Sequence, residues 1–230
     1  AAGIYGAWIA EAFAREGAVL CLSDLRGDKL PAVVRKLGLD PATTLTHTTN
    51  LESVASIHDL AALVEKEWGA PDIVVNNAGV YPRTGVLIAL DPAEYDRIMN
   101  VNVRAPFLVV QAMAKLMIKA GIHGSVVNIG SGAARQMPTG SVTYCMSKTA
   151  LERLSKGQAL ELAPDRIRVN VVEPGFAESH AYTAFWRDLN AGLPQSDVFK
   201  RVRKDGREIW IQAVYGPVRD AEGKVVKVVK

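Results

Sequence analysis

"GSVVNIGSG", residues 124–132, packs Val126, Val127 and Ile129 into a short run that closes on glycine and serine. A stretch this brief, rich in β-branched residues and ended by turn formers, reads as a buried strand. The same shape recurs in "AVLCLSD" (18–24), "DIVVNNAG" (72–79) and "IRVNVVEPG" (167–175). Between these runs lie "GAWIAEAFAREG" (6–17), "ESVASIHDLAALVEKEWG" (52–69), "DPAEYDRIMNVNVRAPFLVVQAMAKLMIKAG" (91–121) and "TYCMSKTALERLSKGQALELA" (143–163), each with apolar residues at helical spacing. Strand alternating with helix predicts an α/β fold with a doubly wound parallel sheet, whose crevice lies beyond the C-terminal ends of the strands.

The 230 residues are 49% apolar and carry a net charge of +3, an ordinary globular composition. No uninterrupted apolar run approaches the ~18–20 residues that span a bilayer. The N-terminus has no charged start followed by an apolar stretch, so no membrane association and a cytoplasmic location are expected. Cys21 and Cys145 lack metal-ligand spacing, and neither a disulfide nor a metal site is expected. Residues 197–230 hold nine Lys/Arg against five Asp/Glu, too modest a bias to suggest nucleic-acid binding.

After about residue 180 the rhythm changes. "DVFKRVRKDGREIWIQAVYGPVRDAEGKVVKVVK" alternates polar with apolar residues and is punctuated by Asp205-Gly206 and Glu222-Gly223, which look like hairpin turns. An antiparallel meander of about three strands is expected here, with a domain boundary near 180–196.

The chain opens on "AAGIYGAWIAEAFAREGAVLCLSD", where small residues lead into a helix, then a strand, then Asp24. Glycines let a backbone approach a pyrophosphate, a helix N-terminus offers free N–H groups, and an acid after the next strand can hold a ribose diol. A Rossmann-like dinucleotide site is the natural reading, though only Gly3 and Gly6 stand in the loop and no strand precedes it. The Asp24 carboxylate repels a 2′-phosphate and favours NAD, while Arg26 could accept that phosphate and keeps NADP open.

"NNAG" (76–79) follows a strand at the ligand edge, where Ala78 and Gly79 leave room beside a flat ring. Tyr144 and Lys148, four residues apart, share a helix face. A cation near a phenol favours the phenolate, so such a tyrosine can exchange a proton with an alcohol or ketone oxygen. Ser131 ends the strand thirteen residues before Tyr144, Asn102 lies in the helix "EYDRIMNVNVRAPF" where its amide could hold a water, and Pro174-Gly175 follows the next strand.

In these residues the sequence resembles the short-chain dehydrogenase/reductase family over residues 1 to about 180. The resemblance rests on "NNAG", Asn102 in "NVNV", Ser131 in "VVNIGSG", "YCMSK" (144–148) and "EPG" (173–175), in family order and at family-like separations. It implies NAD(P)-dependent hydride transfer on a small-molecule secondary alcohol or ketone. By carry-over Tyr144 is the general acid/base, Lys148 lowers its pKa and holds the nicotinamide ribose, Ser131 orients the substrate oxygen, and Asn102 maintains a proton relay. Gly3, Ile4 and Gly6 would face the pyrophosphate. Asp24, Asn50, Leu51, Asn77, Ala78 and Gly79 would serve the adenosine side, and Pro174, Gly175 and Ser179 the nicotinamide. A homo-oligomer built through the helices at 91–121 and 143–163 is also implied.

Two departures accompany the resemblance. The family's first strand and its last strand are not recognisable, and loss of the first, central one should expose apolar strand edges. The segment 181–230 resembles instead the second half of a PAS sensor domain. Two other classes therefore stay open beside the oxidoreductase: a sensory or interaction protein that uses the PAS-like strands, and an inactive hybrid. His47, His58, His123 and His180 read as surface residues, Trp8 and Trp68 as packing residues, and Met113 and Met117 as one apolar helix face.

Overall fold

The structure, a computed structural model, describes residues 1–82, 87–135, 137 and 140–174, and the backbone of 195–202, 208–219 and 225–229. It alternates strand and helix as expected: α1 (Ile4–Arg15), β1 (Leu20–Asp24), α2 (Leu30–Lys36), β2 (Thr44–Thr48), α3 (Val54–Trp68), β3 (Ile73–Asn76), α4 (Pro92–Met99), α5 (Ala105–Ala120), β4 (Ser125–Ile129), α6 (Val142–Glu161) and β5 (Arg168–Val172). Two of these were absent from the sequence reading. β2 is "TLTHT", too polar to stand out as a buried run, and α2 spans only seven residues.

The helix ends follow local chemistry. Ser53 caps α3 by accepting from Ser56 N at 3.2 Å, and Asp91 caps α4 by accepting from Ala93 N at 2.8 Å with Pro92 in the first turn. Gly121, at φ 69°, ends α5 in the left-handed region where its missing Cβ removes the steric cost, and Ile122 N closes back on Met117 O at 2.9 Å. The single helix expected over 91–121 is present as one helical run, Pro92–Ala120, within which residues Asn100–Arg104 form a π-turn between α4 and α5. The continuous helical run Pro92–Ala120 is long and apolar enough, by composition, to cross a membrane. Its residues Val109, Val110, Met113, Ala114 and Met117 are instead buried in the core of this fold, as expected for Met113 and Met117.

Among the described residues the parallel strands form two sheets, β1-β2 and β3-β4-β5. The registers pair Asp24 with Thr48 and Asn76 with Asn128, which aligns the C-terminal ends of neighbouring strands. Among the described residues β1 and β3 each have one partner, and Ile73 at the start of β3 is 46% exposed. The larger core joins α3, α5, β3, β4 and β5 through Ile57, Val74, Met117, Val126 and Val169; a smaller one joins α1, β1 and α2 through Ala10, Leu22, Leu30 and Val34. Cys21 of β1 packs against the larger core, so side chains tie the two sheets together. Cys21 and Cys145 are both free thiols.

The C-terminal backbone adds β6 (Gln195–Val202), β7 (Glu208–Arg219) and β8 (Val225–Val229), antiparallel in the order β6-β7-β8. This is the three-stranded meander the alternation predicted. Trp68 is partly buried against the core, but Trp8 departs from the expectation: it is 49% exposed and meets Tyr5 edge-on at 5.8 Å. It sits on the outward side of α1, where only Gly6 and Ala10 are buried.

Candidate active site

α6 presents Tyr144, Lys148 and Glu152 at successive turns of one face. Lys148 is 4% exposed and its Nζ donates to the Ile129 carbonyl at the end of β4, 2.8 Å away. The same ammonium lies 5.8 Å from the centre of the Tyr144 ring. Ser131, two residues beyond β4, is extended (φ −167°) and caps the short turn Gly132–Ala134 by accepting from Ala133 N at 3.2 Å. Its hydroxyl also stands near enough to the Tyr144 phenol to favour the phenolate. The chain thus brings Tyr144, Lys148 and Ser131 together where β4 meets the start of α6.

The electrostatic balance differs from the sequence expectation. Burial pushes the Tyr144 phenol above its ordinary value, the pairing with Ser131 pulls against it, and Tyr81, Cys145 and Tyr5 add smaller upward contributions. Burial also pulls the Lys148 ammonium down to about 8. The Lys148 ammonium is engaged by the Ile129 carbonyl at 2.8 Å and stands 5.8 Å from the Tyr144 ring centre.

Asn102 sits in the π-turn and is 1% exposed. Its Oδ1 accepts from Val80 N at 2.8 Å, and its Nδ2 donates to Val80 O and to Ser147 Oγ, both at 2.9 Å. Ser147 Oγ in turn donates to Tyr144 O at 2.7 Å. These bonds clamp the segment after β3 to α6. π-turns concentrate at functional sites, and here the distortion carries the residue that joins three elements.

Of the remaining predicted residues, Asp24 ends β1, Asn50 and Leu51 follow β2, and Asn77, Ala78 and Gly79 follow β3. Ala78 and Gly79 are exposed and Asn77 is half-buried; a Cβ on Gly79 would stand 3.5 Å from Lys148 Nζ and 3.6 Å from Asn102 Oδ1. Asn50 uses its Oδ1 to accept from Glu52 N at 3.0 Å, and Leu51 packs on the core. Gly3 is the residue before α1 and offers no side-chain cap; no acid stands in the first helical turn, and Ile4 is exposed. A Cβ on Gly6 would lie 2.8 Å from the Ala1 backbone, so the loop closes over a position only glycine can take. Asp24, ending β1, accepts from Ala1 N (3.0 Å), Ala2 N (2.7 Å) and Arg26 N (3.0 Å). Burial works to raise its pKa, but these bonds and the adjacent ammonium outweigh it and bring it down to about 2. Pro174 follows β5; Gly175, Ser179 and His180 lie outside the described residues. His58 and His123 are exposed as expected, whereas half-buried His47 bonds through Nδ1 to Thr49 Oγ1 at 2.8 Å.

Several residues at the site were not singled out from the sequence. Tyr81 packs its ring on Tyr144, with centroids 4.8 Å apart and planes at 53°. Asn128 of β4 is fully buried, accepts from Asn76 Nδ2 at 2.8 Å and donates to Ser155 Oγ of α6 at 2.8 Å, which fixes α6 over the sheet. Glu152 and Glu173 form an acid pair bridged by Arg135, 3.8 Å from the first and 2.9 Å from the second. Helical spacing from Lys148 was the available signal for Glu152; Tyr81 and Asn128 depend on contacts distant in sequence.

Taken as a nucleotide site, the arrangement is chemically coherent. An uncapped helix N-terminus suits an anion, an ionised carboxylate ending a strand suits a diol, and exposed small residues leave room for a flat ring.

A family model described as "Enoyl-(Acyl carrier protein) reductase" matches residues 1–206. The chain is 33% identical over 185 residues to 2,3-dihydro-2,3-dihydroxybenzoate dehydrogenase of Bacillus subtilis (strain 168), covering 80% of this chain and 70% of that protein. It is 32% identical over 207 residues to D-threitol dehydrogenase of Mycolicibacterium smegmatis, covering 90% and 76%. Among solved structures, a metagenomic short-chain oxidoreductase in complex with NADP superposes with a TM-score of 0.71 at 33% identity, over 77% of this chain and 80% of that one. NAD+-bound xylitol dehydrogenase superposes with a TM-score of 0.73 at 27% identity, over 82% and 72%.

Proposed function

This chain belongs to the short-chain dehydrogenase/reductase family, and we infer that it is an NAD(P)-dependent oxidoreductase interconverting a secondary alcohol and its ketone. The observation that carries the residue assignment is the convergence of Tyr144, Lys148 and Ser131 at the end of β4, with Asn102 clamping α6 behind them. The nicotinamide, when bound, supplies or accepts the hydride. Tyr144 donates a proton to the substrate oxygen in reduction and removes it in oxidation. Ser131 steadies that oxygen through its hydroxyl. Lys148 supplies positive charge beside the phenol, and Asn102 holds Val80 and α6 in register.

Gly3, Ile4 and Gly6 would hold the pyrophosphate, with Asn77, Ala78 and Gly79 beside the adenosine. Asp24 selects NAD over NADP in this reading. Arg26 does not offset it, because its Nε lies 3.6 Å from Asp24 Oδ1 and the guanidinium is drawn toward that carboxylate. The substrate is a small polyol-like or cyclic secondary alcohol, the kind of molecule named for the relatives above. Assembly through α5 and α6 accords with exposed Phe107 and Ile118 on α5 and Met146 and Leu160 on α6.

Titration with NADH and NADPH, followed by nicotinamide fluorescence, tests this reading. NADH is expected to saturate at lower concentration, with Asp24→Ala erasing the preference by about tenfold, roughly one lost charged hydrogen bond. Tyr144→Phe should retain NADH binding while D-threitol oxidation falls by at least about 100-fold. Failure of folded protein to bind either nucleotide would remove the enzyme reading and leave the meander β6–β8 as the feature to pursue in a sensory one.

A further inference from the structure

Tyr81 follows β3 by five residues, and its ring is 55% exposed although it is held at several points. Its hydroxyl is hydrogen-bonded to Ser141, a 3% exposed residue immediately before α6 whose side chain makes no capping bond to its own helix. Its carbonyl accepts from Arg97 Nη2 at 3.0 Å, and Arg97 is itself paired with Glu94 on α4 at 2.7 Å. The preceding peptide, Val80, is bonded through both N–H and C=O to Asn102, which also reaches Ser147 and through it the Tyr144 carbonyl. The Tyr81 and Tyr144 rings are therefore fixed against each other by one clamp at the backbone and another at the helix start.

An exposed tyrosine in a loop loses considerable freedom when tied down this way, and the ordering gains little burial of its own. What it achieves is a tilted aromatic pair at 4.8 Å, within the range where rings attract. We propose that Tyr81 is a positioning residue for Tyr144: its pinned ring sets the orientation of the Tyr144 ring and shields one face of it from water. The proposal rests on Tyr144 being the acid/base group, and it adds that loop residue 81 governs when that group ionises. A shielded phenol is harder to ionise, so the Tyr81 ring is expected to add to the upward displacement that burial gives Tyr144, beside the like-charge effect of the Tyr81 phenolate itself. The titratable groups facing Tyr144 are Lys148 and Cys145 from α6, Tyr81 from the segment after β3, and Tyr5 from α1.

The test is a near-ultraviolet tyrosinate titration of the full chain, with circular dichroism to show that the fold persists. Subtracting the curve of the same protein carrying Tyr144→Phe isolates Tyr144 in each background. Tyr81→Ala should lower the Tyr144 midpoint by about half a pH unit or more, while Tyr81→Phe, which keeps the ring, should stay nearer the parent. A shift under about 0.2 unit in Tyr81→Ala, or equal shifts in both variants, overturns the proposal. Where the fold gives way before the midpoint, ring-proton line shapes of Tyr144 at neutral pH decide: broadened by hindered flipping in the parent and Tyr81→Phe, narrow in Tyr81→Ala. Identical line shapes in all three overturn it equally. None of these readouts needs turnover, so a failed positioning role is separable from a failed catalytic one, which only the Tyr144→Phe activity measurement reports.

Discussion

Lys148 shows how a single residue can be placed against its own charge. Its ammonium is buried, its one bond at the Ile129 carbonyl does not restore full hydration, and its pKa falls to about 8. In the unfolded chain the same group titrates near ~10.4. Between those values the unfolded state binds more protons than the folded one, so stability rises with pH across that window and reaches its low plateau below about 8. The folded state is therefore expected to gain up to about 3 kcal/mol from pH 8 to 10, a gain that Lys148→Met should abolish. Denaturant unfolding at several pH values measures it; an equal gain in both proteins would contradict the assignment. Asp24 shows the same sign in a lower window: its pKa is also lowered, so its contribution is present above the unfolded value of ~3.9 and is lost as pH falls toward 2.

At the scale of elements, α6 is the member on which the site depends. One face carries Tyr144, Lys148 and Glu152, and deeper residues Ser147 and Ser155 bond to Asn102 and Asn128. Replacing Asn102 with Leu takes the partner from both polar groups of the Val80 peptide and the donor from Ser147 Oγ, which keeps its own bond to the Tyr144 carbonyl. A loss of roughly 3–5 kcal/mol is expected by urea unfolding, since each abandoned buried group costs ~1–3 kcal/mol. Midway along α6, Glu152 enters an unfavourable acid pairing with Glu173, just beyond β5. Burial and the neighbouring Glu152 hold the Glu173 carboxyl well above the usual carboxylate range, against the opposing pull of Arg135, and Glu152 Oε1 has no hydrogen-bond partner. A raised carboxyl pKa means the folded state retains a proton the unfolded state has lost, so stability falls as pH rises through that interval. Glu152→Gln should raise the melting temperature at pH 8 by about 2–4 °C and leave it nearly unchanged at pH 5. An equal increase at both would show that packing, not charge, is responsible.

For the whole molecule the critical feature is how the two parallel sheets are held. No ladder joins β1 to β3 among the described residues, so side chains such as Cys21 against the larger core supply the connection. Met117, fully buried in that core beside Gly124, is a sensitive probe of it. Met117→Ala is expected to cost about 2–5 kcal/mol in one cooperative urea transition, while a second transition would reveal the sheets unfolding separately. The alternation of short apolar runs with helical periods, and the motif residues that end those runs, were legible because each is a local pattern with a local cause: strand burial, helix phase, turn chemistry. The same locality explains why β2 and α2 were missed and why the distortion at Asn100–Arg104 was invisible, since "NVNVR" has no composition that marks a π-turn. The sequence by itself determined the alternation of the longer elements, the family and the presence of Tyr144, Lys148, Ser131 and Asn102. Only the tertiary structure decided that Asn102 is a clamp, that Lys148 faces a carbonyl, and that Tyr81 meets Tyr144, because hydrogen-bond partners and desolvation are set by residues far apart in the chain.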